Sequence, residues 1–305
     1  MLAHLLFCLL QSQAQIRPTH KAGWSPFGED WTHLDRKTSK FQVTQPFVAE
    51  HDVKSHFTRE VVRVQWRSLD PINLYIIKPN GLAKPPVVVL MYSYPQDARR
   101  FLNDGYCEEF TQRGFAVVGF ESAMTGDRYR LRPMKEWFVS ELREALVSSV
   151  HDVEFVLDYL QTRQEFDMSH VGMFGQGSGG AIAILAASSD ARIRAVDALN
   201  PWSDWRDWLE LAAMVPESER IRYRQPEFLK TVAGLDPVDY IPKLANRSVR
   251  INLYDDDTNL PPPCIDRLRR AARTTSFKDY SKFVELYRTF SKGRNFDWLA
   301  EQMRR

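Results

Sequence analysis

Apolar runs alternate with longer segments of helical period along most of the chain. VVVLMY, which begins at Val87, and FAVVGF, which begins at Phe115, contain no charged position, and this is typical of strands covered by helices on both faces. Further apolar runs follow at 171–174, 193–199 and 249–254. Segments 98–113 and 136–161 lie between these runs and carry apolar residues near helical spacing. The alternation predicts an α/β fold with a mostly parallel central sheet and helices on both faces.

An antiparallel pair of strands is predicted ahead of this series. Segments 60–66 (EVVRVQW) and 72–78 (INLYIIK) are strand-like, and Asp70-Pro71 marks the turn between them. The sheet is therefore expected to be antiparallel where it begins and parallel afterwards.

Two segments fall outside the alternation. Residues 16–56 are polar and aromatic without a sustained period, which indicates an N-terminal extension that wraps over a domain. Residues 200–246 are longer than one crossover helix needs, and they predict a small helical insertion at the carboxyl edge of the sheet. We therefore predict one domain over residues 57–305.

The first fifteen residues, MLAHLLFCLLQSQAQ, hold a short apolar run. Ser12-Gln13-Ala14 follows it and suits a small-x-small cleavage site, so residues 1–15 predict a signal peptide and export to the periplasm or the medium. The run has no Lys or Arg before it, which leaves an apolar tail on a cytoplasmic protein as the alternative. No later apolar stretch approaches the roughly 20 residues of a spanning helix, so no transmembrane segment is expected in the mature chain.

Composition excludes several classes of function. The 305 residues are 44% hydrophobic and 26% charged, which is globular, and a net charge of +2 with interleaved signs gives no field for nucleic acid. Phosphate-binding glycine loops are absent, and the acidic triplet 255–257 is too common a pattern to indicate a metal site. We therefore expect no cofactor and no metal. Cys107 and Cys264 are predicted to be two unrelated buried thiols, with a single disulfide as the alternative.

The segment 170–183, HVGMFGQGSGGAIA, carries the most specific pattern in the chain. It resembles the strand, sharp turn and helix of the nucleophile elbow in the α/β-hydrolase superfamily. The resemblance extends from the antiparallel pair to the last predicted strand and is closest to the dienelactone-hydrolase and acyl-peptidase branches. It implies an α/β-hydrolase fold and, where the catalytic triad is present, hydrolysis of ester or peptide bonds.

The elbow can be aligned with that pattern in two registers. If Gly175 and Gly179 are the flanking glycines, Gly177 stands at the position of the nucleophile. If Ser178 is the nucleophile, Gln176 falls where a small residue is needed. The first register is favoured, because the nucleophile of this turn has a strained backbone that glycine adopts at little steric cost.

The resemblance also places the acid and the oxyanion region. The triad acid falls at Asp257, in the turn after the strand at 249–254. The family's His-Gly after the strand that begins at Val87 is replaced by Tyr92-Ser93. Tyr92, Ser93 and Ser178 are therefore the candidate oxyanion and pocket residues.

No histidine occupies the position that a triad requires. In the family the histidine follows the last strand, predicted here at 283–287, whereas all seven histidines lie at or before position 170. The corresponding turn, 293–296, places Arg294 at the histidine's position, and a guanidinium is a poor general base because it stays protonated. His151 and His170 are expected at the opposite end of the sheet, as surface or packing residues.

These substitutions favour an α/β-hydrolase-fold protein that is catalytically inactive and retained for ligand binding or assembly. The degenerate triad would then comprise Gly177, Asp257 and Arg294. The alternative is an active esterase or peptidase that uses Ser178 with a non-standard base.

A small carboxylate or another anion is the expected ligand. The helix that begins near Ser178 would direct free amide groups to the site, and Arg294 would add a fixed positive charge, unless it pairs with Asp257. Trp202, Trp205 and Trp208 recur every three residues; Trp202 and Trp205 are candidate ligand-binding residues, although packing of the insertion is the favoured role for all three.

Overall fold

The computed structural model describes residues 28–126, 128, 139–272, 275–290 and 296–304. The predicted signal segment 1–15 lies outside these residues, so export stays a prediction. Within the described parts of the chain, no helix is long and apolar enough to cross a membrane.

The described strands form one nine-stranded sheet with the order β1-β2-β3-β5-β4-β6-β7-β8-β9. The strands are β1 Phe47–Val53, β2 Phe57–Arg67, β3 Asp70–Pro79, β4 Pro86–Met91, β5 Ala116–Gly119, β6 Asp167–Gln176, β7 Ile193–Leu199, β8 Ser248–Tyr254 and β9 Ser276–Tyr280. The first three strands and the β3/β5 pair are antiparallel, and the remaining neighbours are parallel. This is the predicted architecture: a mostly parallel sheet with an antiparallel N-terminal part.

Helices cover both faces of this sheet. They are α1 Asp104–Thr111, α2 Leu142–Arg163, α3 Ser178–Ser189, α4 Trp205–Leu211, α5 Glu217–Tyr223, α6 Pro226–Val232, α7 Pro237–Tyr240, α8 Pro262–Ala271, α9 Phe283–Phe290 and α10 Asp297–Gln302, with short 3-10 turns at Arg99–Leu102, Ala233–Leu235 and Ile241–Leu244. In β4, Val87 and Val89 pack with α2, α3 and the insertion, whereas Val88 and Leu90 pack with α1 and α10. The run is apolar throughout because both of its faces are buried. The predicted insertion at 200–246 is confirmed as a series of short helices.

Two local predictions are wrong. Asp70-Pro71 belongs to β3, and the turn is at Ser68 and Leu69, which takes a positive φ of 61°. The predicted last strand at 283–287 is part of helix α9, and the last described strand is β9. The sequence FVELY fits either element, but in α9 Leu286 is buried, whereas Phe283 and Val284 are exposed.

The stretch 16–56, for which no element was predicted, contains the edge strand β1. The side chains of β1 are exposed on both faces, so the sequence of this strand shows no alternation of hydrophobic and polar residues.

A buried ionic network attaches the residues before β1 to the domain. Arg67 donates to Glu29 (Nε to Oε2, 2.5 Å) and to Asp152, and Arg128 contacts the other oxygen of Asp152 at 2.6 Å. His151 Nδ1 lies 2.7 Å from Glu29 Oε1, and its Nε2 lies 3.2 Å from a backbone carbonyl. The network joins the N-terminal extension, β2 and α2 in the interior, where unpaired charges would be costly.

Candidate functional site

The turn between β6 and α3 has the geometry of a nucleophile elbow. Gly177 stands between the strand and the helix with φ +53° and ψ −115°, a conformation that strains any residue with a side chain. A Cβ on Gly175 would lie 2.7 Å from the backbone nitrogen of Gly180, and one on Gly179 would lie 2.6 Å from the carbonyl carbon of Met91. Glycines therefore allow the close approach of helix and strand, and the strained position is Gly177, not Ser178.

The space beside Gly177 is already filled. A Cβ built on Gly177 would collide with Ser93 Oγ and would lie 2.9 Å from Ser93 Cβ and 3.1 Å from the indole nitrogen of Trp202. The backbone N–H of Ser178 donates to Ser93 Oγ at 3.4 Å. The Ser93 side chain thus occupies the space that a nucleophilic side chain at position 177 would need.

Ser178 is fully buried, with 0% of its surface exposed. Its Oγ accepts a hydrogen bond of 3.0 Å from the backbone N–H of Tyr94, and the residue is the first of α3. The hydroxyl is therefore engaged in holding the loop after β4 against the helix.

Asp257 follows β8, as the resemblance implies, and both of its carboxylate oxygens have partners. Oδ2 accepts from the side-chain amide of Asn200 at 2.9 Å, and Oδ1 accepts from the backbone N–H of Asn259 at 2.8 Å. Burial, together with the charge and hydrogen bond of Asp257, raises the pKa of Tyr254 well above its usual value. Asn200, the residue directly after β7, was missed at the sequence level because a lone asparagine after a strand has no distinguishing pattern.

The histidines that the structure describes lie away from this turn. His151 is buried in the ionic network, and His170 contacts Asp167 (Nδ1 to Oδ2, 2.7 Å) near the amino end of β6, opposite the elbow. Both placements agree with the prediction. Arg294, the residue predicted at the histidine position, lies outside the described residues.

A cavity of about 530 Å³ opens beside the elbow. Its apolar and aromatic lining consists of Tyr92, Tyr106, Phe174, Leu199, Phe283, Leu286 and Phe296. Its polar lining consists of Gln96, Arg100, Asn103, Glu109 and Gln176. Tyr92 immediately precedes Ser93 and Gln176 immediately precedes Gly177, so the cavity lies at the carboxyl ends of β4 and β6, where sites of open α/β sheets gather.

The tyrosines of the cavity are neutral donors and acceptors. The hydroxyls of Tyr92 and Tyr106 form a short hydrogen bond with each other. Burial raises the pKa of both groups, that of Tyr106 to about 12. Burial also raises the pKa of the Glu109 carboxyl, an effect that Arg113 partly offsets. Of these lining residues only Tyr92 was predicted; the others come from separate elements that meet only in the fold.

Trp202, Trp205 and Trp208 are all buried and do not line this cavity. The indole N–H of Trp205 donates to the carbonyl of Leu235 at 2.9 Å, and the Trp202 and Trp208 rings lie 4.9 Å apart. Their burial supports the packing role, and ligand binding by Trp202 and Trp205 stays a prediction.

Cys107 and Cys264 are both free and buried, as predicted. In the parts of the chain that the structure describes, no group of three or more His, Cys, Asp or Glu residues is arranged to hold a metal ion.

The sheet, the elbow and the position of Asp257 together define the α/β-hydrolase fold, and solved structures share it. Acetyl xylan esterase 1 from Thermoanaerobacterium sp. JW/SL YS485 superposes with a TM-score of 0.65 at 15% identity, over 92% of this chain and 96% of that one. An acetyl xylan esterase from Paenibacillus sp. R4 gives 0.61 at 17% identity, over 83% and 87%. The Pyrococcus horikoshii acylaminoacyl peptidase gives 0.59 at 12% identity, over 88% of this chain and 50% of that one.

Neither the scan against models of protein families nor the search of curated proteins found a match. The chain has the α/β-hydrolase fold, and its structural neighbours are esterases and peptidases.

Proposed function

We propose that this chain is a non-hydrolytic protein of the α/β-hydrolase fold that binds a small ligand in the cavity beside its elbow. The observation that carries the proposal is the geometry of the turn. Gly177 holds the strained backbone of a nucleophile without a side chain, and Ser93 Oγ and the Trp202 indole occupy the adjoining space.

The chemistry of acyl transfer depends on the missing groups. A serine at the elbow needs an accessible hydroxyl and a base that can take its proton, and loss of the nucleophile from a triad lowers kcat by about 10⁶. Ser178 offers a buried hydroxyl that already accepts a hydrogen bond. We therefore expect ester hydrolysis no faster than the background reaction.

A carboxylate or another small anion is the proposed ligand. The amino end of α3 faces the turn, and helix amino ends favour negative charge. Arg294, which stands at the family's histidine position in the sequence, would add a permanent positive charge. The cavity volume lies within the roughly 300–1,000 Å³ that is usual for small-molecule sites.

The second candidate is an active esterase or peptidase, and the observation that favours it is the nature of the structural neighbours. In this reading Ser178 is the nucleophile. Its hydroxyl would have to leave the Tyr94 N–H and become exposed before it met a substrate.

Hydrolysis of short p-nitrophenyl esters by the wild type, Ser178→Ala and Ser93→Ala separates the two candidates. The proposal predicts the same background rate for all three proteins. A wild-type rate above background that Ser178→Ala abolishes would establish the second candidate instead, and loss in Ser93→Ala alone would identify a different nucleophile and equally refute the proposal.

A further inference from the structure

Three polar side chains, those of Gln96, Arg100 and Gln176, line the cavity. The guanidinium of Arg100 lies over the Tyr92 ring, 5.5 Å from its centroid, and forms no ion pair or hydrogen bond with a described residue. Gln96 Oε1 is buried and has no hydrogen-bond partner in the described structure. The Gln176 side chain lines the same cavity.

The neighbouring arginines, unlike Arg100, have carboxylate partners among the described residues. Arg99 contacts Asp97 at 3.4 Å. Arg59, whose guanidinium reaches the same segment from β2, contacts Asp52 and Asp104 at 2.5 and 2.9 Å. Arg100 alone of these three is directed to an aromatic ring of the cavity, where it is available to a ligand.

The rest of the cavity is suited to an apolar body. Phe174 and Phe296 pack edge to face with ring centroids 5.3 Å apart, and Leu199 and Leu286 are 2% and 1% exposed. These four side chains line the cavity together with Tyr106. A ligand that fills this space removes apolar surface from water, which strengthens binding in proportion to its length.

We infer that the cavity binds an amphipathic monocarboxylate, with its carboxylate on Arg100 and its hydrocarbon body against Phe174, Leu199, Leu286 and Phe296. This inference rests on the proposed function, in which the cavity binds a ligand without hydrolysing it. An active hydrolase would instead release such an acid as a product. A guanidinium grips a carboxylate through two parallel N–H donors. The side-chain amides of Gln96 and Gln176 also carry NH₂ donors that can bind the same head group.

The apolar lining restricts the ligand to one carboxylate. A second carboxylate at the other end of the chain would lie among Phe174, Leu199, Leu286 and Phe296, where burial of an unpaired charge is costly. A diacid of the same length is therefore expected to bind more weakly than the monoacid.

The test is isothermal titration with straight-chain acids from butanoate to decanoate, with octanol and octanedioate as matched ligands. Affinity should rise about fourfold for each added methylene until the cavity is full. Arg100→Gln should weaken octanoate at least tenfold and leave octanol unchanged. Arg99→Gln, the neighbouring exposed arginine, is the matched control and should leave both ligands unchanged.

Any of four results would overturn the inference: no octanoate binding, octanoate binding that Arg100→Gln leaves intact, octanol or octanedioate as tight as octanoate, or equal losses in Arg99→Gln. Failure of the proposed function is seen separately, because Ser178-dependent ester turnover would refute it whatever the titration shows. Binding that is independent of Arg100, without turnover, would refute this inference alone.

Discussion

Substitution of Gly177 by serine tests the elbow geometry quantitatively. A side chain at φ +53° and ψ −115° carries backbone strain of about 1–3 kcal/mol. The added Cβ also collides with Ser93, and such overpacking costs a further 1–3 kcal/mol or so. Gly177→Ser should therefore lower the free energy of unfolding by about 2–6 kcal/mol.

The two contributions can be separated with matched variants. Gly81 also has a positive φ, +81°, but a Cβ there would meet nothing within 4 Å, so Gly81→Ser reports backbone strain without a clash. Shortening Ser93 to alanine or glycine in the Gly177→Ser background should recover about 1–3 kcal/mol of the loss, with glycine recovering more. The same shortening should have no effect on the cost of Gly81→Ser.

Urea denaturation of the single and double variants, followed by far-ultraviolet circular dichroism, measures this coupling. Additivity of Gly177→Ser and Ser93→Gly within about 0.5 kcal/mol would refute the claim that Ser93 fills the nucleophile's space. So would a Gly177→Ser variant no less stable than Gly81→Ser.

The buried charges make two further predictions. Glu29→Ala should lower the free energy of unfolding by about 3–5 kcal/mol, because it breaks the buried Arg67–Glu29 ion pair and removes one of the carboxylates that neutralise Arg67 in the interior. A loss below about 1 kcal/mol in urea denaturation would contradict this. Burial alone would raise the pKa of Glu29, but Arg67 and His151 hold it well below the usual 4.5. The stability that the ionised Glu29 carboxylate contributes is therefore complete above pH 4.5 and is lost on acidification. The loss of stability with falling pH should be less steep in Glu29→Gln. Burial raises the pKa of Asp204 to about 6 despite Arg267, so its ionisation destabilises the fold as pH rises from 3.8 through 6. Asp204→Asn, which tolerates the local φ of +57°, should gain stability relative to the wild type over that range, and a pH-independent difference would count against it.

The sheet could be predicted because the burial of its strands leaves a pattern in the sequence itself. Val87 to Leu90 are buried on both faces, so every position is apolar, and the elbow is marked by the spacing of Gly175 and Gly179. β1 carries no such signal, since its side chains meet solvent on both sides. The run at Phe283 is too short for its period to distinguish a strand from a helix turn.

The contents of the site could be predicted only in part. The backbone role of Gly177 follows from its neighbours in sequence, whereas the filling of the adjoining space depends on how closely β4 approaches the elbow. The sequence therefore indicates Ser93 only as an oxyanion residue. It gives no indication of Arg100, because an arginine in a predicted helix carries no sign of the ring beneath it.

Intact-mass spectrometry after incubation with a fluorophosphonate, alongside an active serine esterase, measures directly whether the elbow holds a working nucleophile. We expect the esterase to be fully labelled while this protein keeps its unmodified mass, because Gly177 offers no nucleophile and the Ser178 hydroxyl is buried. A stoichiometric adduct that maps to Ser178 and is absent from Ser178→Ala would contradict this expectation and establish a working serine nucleophile.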